Sequence, residues 1–173
     1  MPPDKSGLST LLVSIAEKYP TELVAAQIRD VPRIAFNINL VLDRAGWKIR
    51  ICDLGGGIGL CSVGCAAMGM QSTLVDDFSD SVNLKYSQLP FQLHPQFGVD
   101  VVNADIIAVP PPFPDESYDA VTTFDSMEHW HHSPKQLLRK VMKWLKPGGL
   151  FVLGVPNCVN LRKRLTVPVG VGK

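Results

Sequence analysis

Residues 49–77 read IRICDLGGGIGLCSVGCAAMGMQSTLVDD. Ile49-Arg50-Ile51-Cys52-Asp53-Leu54 is a short apolar run with the length and β-branching of a buried strand. Gly55-Gly56-Gly57-Ile58-Gly59 is a turn that lets a ligand come close to bare backbone. Small and apolar residues then recur at helical spacing from Leu60 to Met70. Gln71 to Val75 forms a second strand ending in Asp76-Asp77. The whole is a β-α-β unit with its glycine loop at the carboxyl end of the first strand, where open α/β sheets bind ligands. A turn alone needs one or two glycines; four in five positions point to a ligand.

Spacing separates the ligands that such a loop can take. A dinucleotide loop reads G-x-G-x-x-G. Counting from Gly55, the third place falls on Leu60; counting from Gly57, it falls on Ser62. Neither frame fits, which places a nicotinamide oxidoreductase last among the readings. What stands here is an acid, Asp53, two residues before a G-x-G-x-G. An acid there suits a cationic group, such as the ammonium of an amino acid. Asp76 follows Asp53 by 23 positions, at the end of the second strand, where a carboxylate can accept both hydroxyls of a ribose. Asp77 is the competing assignment.

On these residues the chain resembles the class I, Rossmann-like S-adenosylmethionine-dependent methyltransferases, over roughly residues 49–157. The resemblance implies S-adenosylmethionine as cofactor, held by Asp53, Gly55, Gly56, Gly57, Gly59 and Asp76. Later blocks extend it. Val99 to Ile106 reads as a third strand ending in Ala104-Asp105-Ile106. In the resembled family an acid here bonds the adenine amino group and the next apolar residue packs on the ring, which implies Asp105 and Ile106. Tyr118-Asp119-Ala120-Val121 matches a family strand pattern, and the strand runs on to Phe124 beside the cofactor site. Leu145-Lys146-Pro147-Gly148-Gly149, before the apolar run Leu150 to Val155, is a turn familiar in this family.

Chemistry should sit after the fourth strand, in Phe124 to His132. Methyltransferases of nucleobase amines and of glutamine carry Asp or Asn, then Pro-Pro and an aromatic. Phe124-Asp125-Ser126-Met127 does not match, so those acceptors are set aside. Glu128-His129 resembles the pair seen in many small-molecule methyltransferases, including enzymes of quinone and sugar pathways. Methyl transfer needs alignment and exclusion of water more than protein chemistry, because the cofactor is itself the strong donor. A hydroxyl acceptor also needs a base. His129 suits that role, histidine being the side chain most used for general-base work, and Glu128 could orient it or bind a divalent ion. The other reading is that both residues only shape the site. His129, His131 and His132 lie close in sequence, but their spacing is not that of metal ligands.

The rest of the chain frames this core. Residues 1–47 read as a helical preface with breaks at Pro20 and Pro32, and with Ser9 or Thr10 as a first cap. A third helical pattern stops at Gly46. The preface either covers the core or forms a lid over the cofactor. Arg29, Arg33 and Arg44 read as solvated faces, and His94 as a surface residue. Phe78 to Asn83 reads as a cap and helix start, Val109 to Pro114 as a proline-rich loop, and Leu137 to Leu145 as an amphipathic helix. Residues 158–173 form a basic tail after the core, residues 48–157, within one domain.

Composition bounds the classes. A chain of 173 residues with 46% hydrophobic and 19% charged residues suits one globular domain. A net charge of +1 favours neither nucleic acid nor an anionic membrane surface. No apolar run is long enough to span a bilayer, and the first ten residues lack a signal-peptide core. Cys52, Cys61, Cys65 and Cys158 form no C-x-x-C, which suits packing in a reduced, cytoplasmic setting. The expectation is a doubly wound, mostly parallel sheet of five strands. The resembled fold has seven, in the order 3-2-1-4-5-7-6, so its last hairpin is expected to be missing. That predicts an open fifth-strand edge, available for a homodimer. The expected function is methyl transfer to a small-molecule or sugar acceptor, at a hydroxyl. The alternative is a cofactor-binding module without catalysis, as a partner subunit or truncated enzyme.

Overall fold

The computed structural model describes residues 6–80 and 84–156. Its centre is a five-stranded sheet in the order β3-β2-β1-β4-β5, all neighbours parallel. The strands are β1 (Arg50–Leu54), β2 (Gln71–Asp76), β3 (Val99–Asn103), β4 (Tyr118–Phe124) and β5 (Leu145–Gly154). Strand direction reverses its progress across the sheet at β1, so β1 and β4 flank the switch point where a crevice opens at the carboxyl edge. The expected doubly wound fold is what forms. The expectations for Ser81 to Asn83, for the basic tail and for the last hairpin concern residues outside the described ones.

Alternate residues of each strand feed two cores, as the period of two dictates. Ile51, Leu74 and Ala120 face α1 (Leu8–Ala16), α2 (Thr21–Ala45) and α3 (Cys61–Ala67). Cys52, Leu54, Val75 and Val121 face Leu137, Val141 and Trp144 of α5 (Lys135–Trp144). The short α4 (Leu89–Leu93) lies between β2 and β3, where broken helix was expected. Phe113, in the proline-rich loop, stacks edge-on against both Tyr118 and Trp144 and closes the second core.

Four expectations are corrected. Pro32 does not end a helix: α2 runs through it. A proline inside a helix costs about 3 kcal/mol. Here Val31, Ile34, Ala35, Ile38, Val41 and Leu42 are buried along one stripe on both sides of an exposed Pro32, and each of the Val, Ile and Leu side chains contributes about 1.5–3 kcal/mol. Packing therefore outweighs the lost hydrogen bond. Helix α1 starts at Leu8 after Gly7, with no side-chain cap from Ser9 or Thr10. His94 is fully buried, not at the surface. Leu145-Lys146-Pro147-Gly148-Gly149 bulges out of β5 rather than preceding it: Tyr118 pairs with Leu145, and the next pair is Ala120 with Leu150.

Helix α2 ends where expected, at Gly46 (φ +86°), whose N–H returns to the Leu42 carbonyl at 3.1 Å. Among the described residues no helix is long and apolar enough to cross a membrane.

Candidate functional site

The glycine loop leaves β1 and turns back against β2. Gly55 takes φ +69° and donates its N–H to the Val75 carbonyl at 2.8 Å; Gly57 takes φ +55°. Both angles lie where side chains are costly. Gly56 is required for a different reason. A Cβ there would sit 2.5 Å from Asp53 Oδ2 and 2.8 Å from Leu74 Cδ1. The loop thus lies directly on the Asp53 carboxylate, and that closeness excludes any side chain.

Asp53 is 2% exposed. Its Oδ1 accepts the Thr122 hydroxyl at 2.9 Å, while Oδ2 has no partner among the described residues. Burial pushes its pKa up to about 6; the Thr122 bond opposes that shift and nearby Asp76 adds to it. A buried carboxylate with a free oxygen at the end of a strand is costly to ionise without a cation.

Asp76 sits at the end of β2 and ties the loop down. Its Oδ2 accepts the Gly57 N–H at 2.9 Å and its Oδ1 accepts the Phe78 N–H at 2.6 Å. Burial raises its pKa too, and these two bonds work against the rise. Asp77 is exposed, and its carboxylate accepts the Ser79 N–H of its own turn, at 3.0 Å. Asp76, not Asp77, therefore faces the glycine loop.

Asp105 lies just past β3, exposed, with Oδ1 accepting the N–H groups of Ile107 and Ala108, each at 2.9 Å. Ile106 is buried. A Cβ on Gly55 would be 3.7 Å from Ile106 Cδ1, so Ile106 closes on the loop from the β3 side. Phe124, at the end of β4, is half-buried against Gly154: a Cβ there would come 2.7 Å from the ring. The carboxyl edge thus brings together Asp53, Gly55, Gly56, Gly57, Gly59, Asp76, Ile106 and Phe124.

The segment after β4 is arranged differently. Met127–His129 forms a 3₁₀ turn, with the His129 N–H on the Ser126 carbonyl at 2.9 Å. Ser126 is buried, and its Oγ accepts the Trp130 indole N–H at 3.0 Å. Gly55 faces this hydroxyl so closely that a Cβ would overlap it. The His129 ring is 81% exposed and 4.0 Å from Glu128 Oε1. His131 and His132 are also exposed, and no metal-binding group of three His, Cys, Asp or Glu forms among the described residues.

Residues from 52 to 153 match the family described as a methyltransferase domain. The chain belongs to that family. Solved structures give the fold the same company. The domain is similar to a protein of Methanococcus maripaludis whose assignment as an S-adenosyl-L-methionine-dependent methyltransferase is provisional, with TM-score 0.59 and 19% identity over 96% of this chain and 70% of that one. An S-adenosylmethionine-dependent methyltransferase of Mesorhizobium loti gives TM-score 0.53 and 24% identity over 72% of this chain and 52% of that one. Coclaurine N-methyltransferase, solved with N-methylheliamine and S-adenosylhomocysteine, gives TM-score 0.55 and 22% identity over 86% of this chain and 50% of that one. At these identities the likeness is one of fold, and this methyltransferase domain spans about half the length of the last two. A comparison with curated proteins found no match.

Several residues at this edge carry no signal in the methyltransferase domain's sequence. Arg33, read as solvated, forms an ion pair with Asp125 and lies 3.5 Å from Asp30. Asp125 holds φ +49° and donates its N–H to Gly154 at 2.9 Å. The Tyr19 hydroxyl meets His94 Nε2 at 3.1 Å and the Gly59 carbonyl at 3.4 Å, pinning the preface to the end of the glycine loop. Burial pushes the His94 pKa down to about 4, so the ring is neutral.

Proposed function

We propose that this methyltransferase domain binds S-adenosylmethionine and transfers its methyl group to a small-molecule or sugar acceptor, at a hydroxyl. The single observation that carries the reading is Asp53. It is a water-excluded carboxylate with one unpartnered oxygen, pressed against a glycine loop that Asp76 ties to the neighbouring strand end. The residues present fit the group. Asp53 would meet the ammonium of the cofactor's amino-acid end, which removes the cost of ionising it. Each Asp76 oxygen already accepts one N–H and has a second lone pair for a ribose hydroxyl. Asp105 and Ile106 would bound the adenine, and Phe124 the methyl-bearing end. Asp77, exposed and engaged with its own turn, is the weaker ribose candidate.

When bound, the cofactor supplies an activated methyl group. The chain's own task is alignment, exclusion of water and removal of one proton. His129 is the proposed base for a hydroxyl proton, with Glu128 beside it to orient the ring. A second reading, cofactor binding without transfer, is favoured by one observation: the His129 ring stands open to water.

Calorimetry with S-adenosylmethionine, S-adenosylhomocysteine and NAD tests the first half. Binding of the first two and not of NAD is expected; binding of NAD alone overturns it. Formation of S-adenosylhomocysteine in the presence of hydroxyl, amine and carbon acceptors tests the second half. Turnover on amines alone would sink the hydroxyl assignment, and cofactor binding with no turnover on any acceptor would favour the second reading.

A further inference from the structure

The inference rests on the cofactor reading above and concerns the other charge at the same end of the ligand. An amino-acid end carries a carboxylate as well as an ammonium. Asp53 answers only the ammonium. The carboxylate calls for a cation near the start of α3, close to Asp53 and free to change partners.

Arg33 meets these conditions. Helix α2 is locked onto α3 where Gly64 leaves room for Ile38 and Leu12: a Cβ on Gly64 would lie 2.5 Å from Ile38 Cδ1 and 2.7 Å from Leu12 Cδ2. From that fixed point α2 extends toward its own amino end, past the carboxyl edge of the sheet. There Glu22 accepts the Tyr86 hydroxyl at 3.2 Å, from the 3₁₀ turn Leu84–Tyr86 that follows β2. Between these anchors stands Arg33, paired with Asp125 on the β4 side. The Cys61 thiol, at the first residue of α3, registers both site charges. Its pKa is raised by its hydrogen bond with Cys65, by burial and by Asp53, and drawn down by Arg33. Geometry places the pair there as well: Asp125 precedes Ser126, whose hydroxyl lies directly over Gly55 of the glycine loop.

The pair is also easy to part. The side chains of Arg33 and Asp125 are 50% and 33% exposed, and exposed pairs of this kind are worth little. A guanidinium can take another carboxylate as a two-pronged partner at small net cost. Asp125, by contrast, is held in a left-handed backbone conformation.

We propose that Arg33 is a positioning residue that takes the carboxylate of the cofactor's amino-acid end in exchange for Asp125. Without ligand, the pair latches α2 to the loop after β4. With ligand, Arg33 turns to the cofactor and Asp125 is released beside Met127–His129, the turn that carries the proposed base.

Two probes separate this latch from a merely structural ion pair: S-adenosylhomocysteine, which has the amino-acid end, and 5′-methylthioadenosine, which lacks it. Arg33→Gln and Arg33→Ala should weaken S-adenosylhomocysteine binding by about tenfold or more, the scale of a lost charged hydrogen bond, and leave methylthioadenosine within about twofold. Asp125→Asn should tighten S-adenosylhomocysteine binding by about threefold, because it removes one competitor for Arg33 and leaves only Asp30, 3.5 Å away. Opposite signs for the two partners, in variants that melt near the wild-type temperature, support the exchange. Equal losses for both ligands in both variants, or unchanged S-adenosylhomocysteine binding in the Arg33 variants, overturn it while leaving the cofactor reading intact. A wild-type protein that binds neither probe sinks the cofactor reading and the latch with it.

Discussion

From Asp53 to Asp76 the site is held mostly by contacts inside one β-α-β unit. Asp76 ties Gly57, Val75 ties Gly55, and Gly56 lies on Asp53. From Phe124 to His129 the same edge depends on distant parts of the chain. Gly154 makes room for Phe124, Arg33 pairs with Asp125, and Gly55 leaves space for Ser126. The first region is buried or half-buried, and its donors and acceptors are largely fixed by backbone. The second ends in an exposed turn bearing Glu128 and His129. A site built this way can hold one ligand in a preformed cradle while its other side adapts to an acceptor. Affinity for cofactor should follow the first region together with the Arg33–Asp125 pair, and turnover the turn bearing Glu128 and His129.

The largest effect expected is on turnover. His129→Ala should lower the methyl-transfer rate by about 10²–10⁴-fold, with S-adenosylhomocysteine affinity within about twofold of wild type. Isothermal calorimetry beside a rate assay would show it. A rate that barely moves would leave His129 a positioning role only and break the division between the two regions.

Next comes a pH effect on the first region. The Asp53 pKa rises from 3.8 to about 6 on folding, so the folded state binds its proton more tightly. Stability from this group is therefore full below pH 3.8 and lost as pH rises to about 6. His94 has the opposite slope. Its pKa falls from 6.5 to about 4, so its share of stability is present above pH 6.5 and lost as pH falls toward 4. Asp53→Asn removes the first slope and leaves the second. Relative to wild type, the variant should gain about 3 kcal/mol between pH 4 and 7, at 1.36 kcal/mol per pKa unit, as urea melts at several pH values would read. A difference that stays constant with pH would mean that Asp53 is not the buried acid described.

Asp76→Ala should weaken S-adenosylhomocysteine binding by about 1.5–3 kcal/mol, and Asp77→Ala should leave it near wild type. The reverse result would move the ribose contact one residue along and loosen the link between Asp76 and the loop. The smallest effect should come from Asp119. Its Oδ2 accepts the Arg50 N–H at 2.8 Å and its Oδ1 the Lys146 ammonium at 2.7 Å, on the side of the sheet away from the site. These bonds outweigh burial and hold its carboxyl below the usual range. With the carboxylate partly exposed, Asp119→Ala should cost no more than about 1 kcal/mol in a urea melt and leave ligand binding unchanged. Loss of binding there would show that the strand starts and the strand ends are coupled.

How much of this was legible follows the same division. The glycine loop, its acid and the acid of the next strand lie on consecutive elements, so spacing alone brings Asp53, Gly57 and Asp76 to one place. The parallel order of the strands follows from right-handed crossovers through helices. The break at Pro20 holds, but no break forms at Pro32, because the buried stripe of α2 overrides the local rule. His94 was misplaced because a histidine among prolines and polar residues reads as surface, and its partner Tyr19 is 75 positions away.

By itself, then, the sequence determined the parallel α/β core and the cradle after β1, since hydrophobic period, glycine spacing and strand-end acids are local properties that survive without knowledge of neighbours. Only the tertiary structure decided which charges meet. Arg33 joins Asp125, Asp119 joins Arg50 and Lys146, and Tyr19 joins His94 and Gly59. Such pairings depend on how helices and strands distant in the chain settle against one another. A charged or polar side chain reads the same in sequence whether it faces water or a partner, and packing of the apolar stripes beneath it makes the choice.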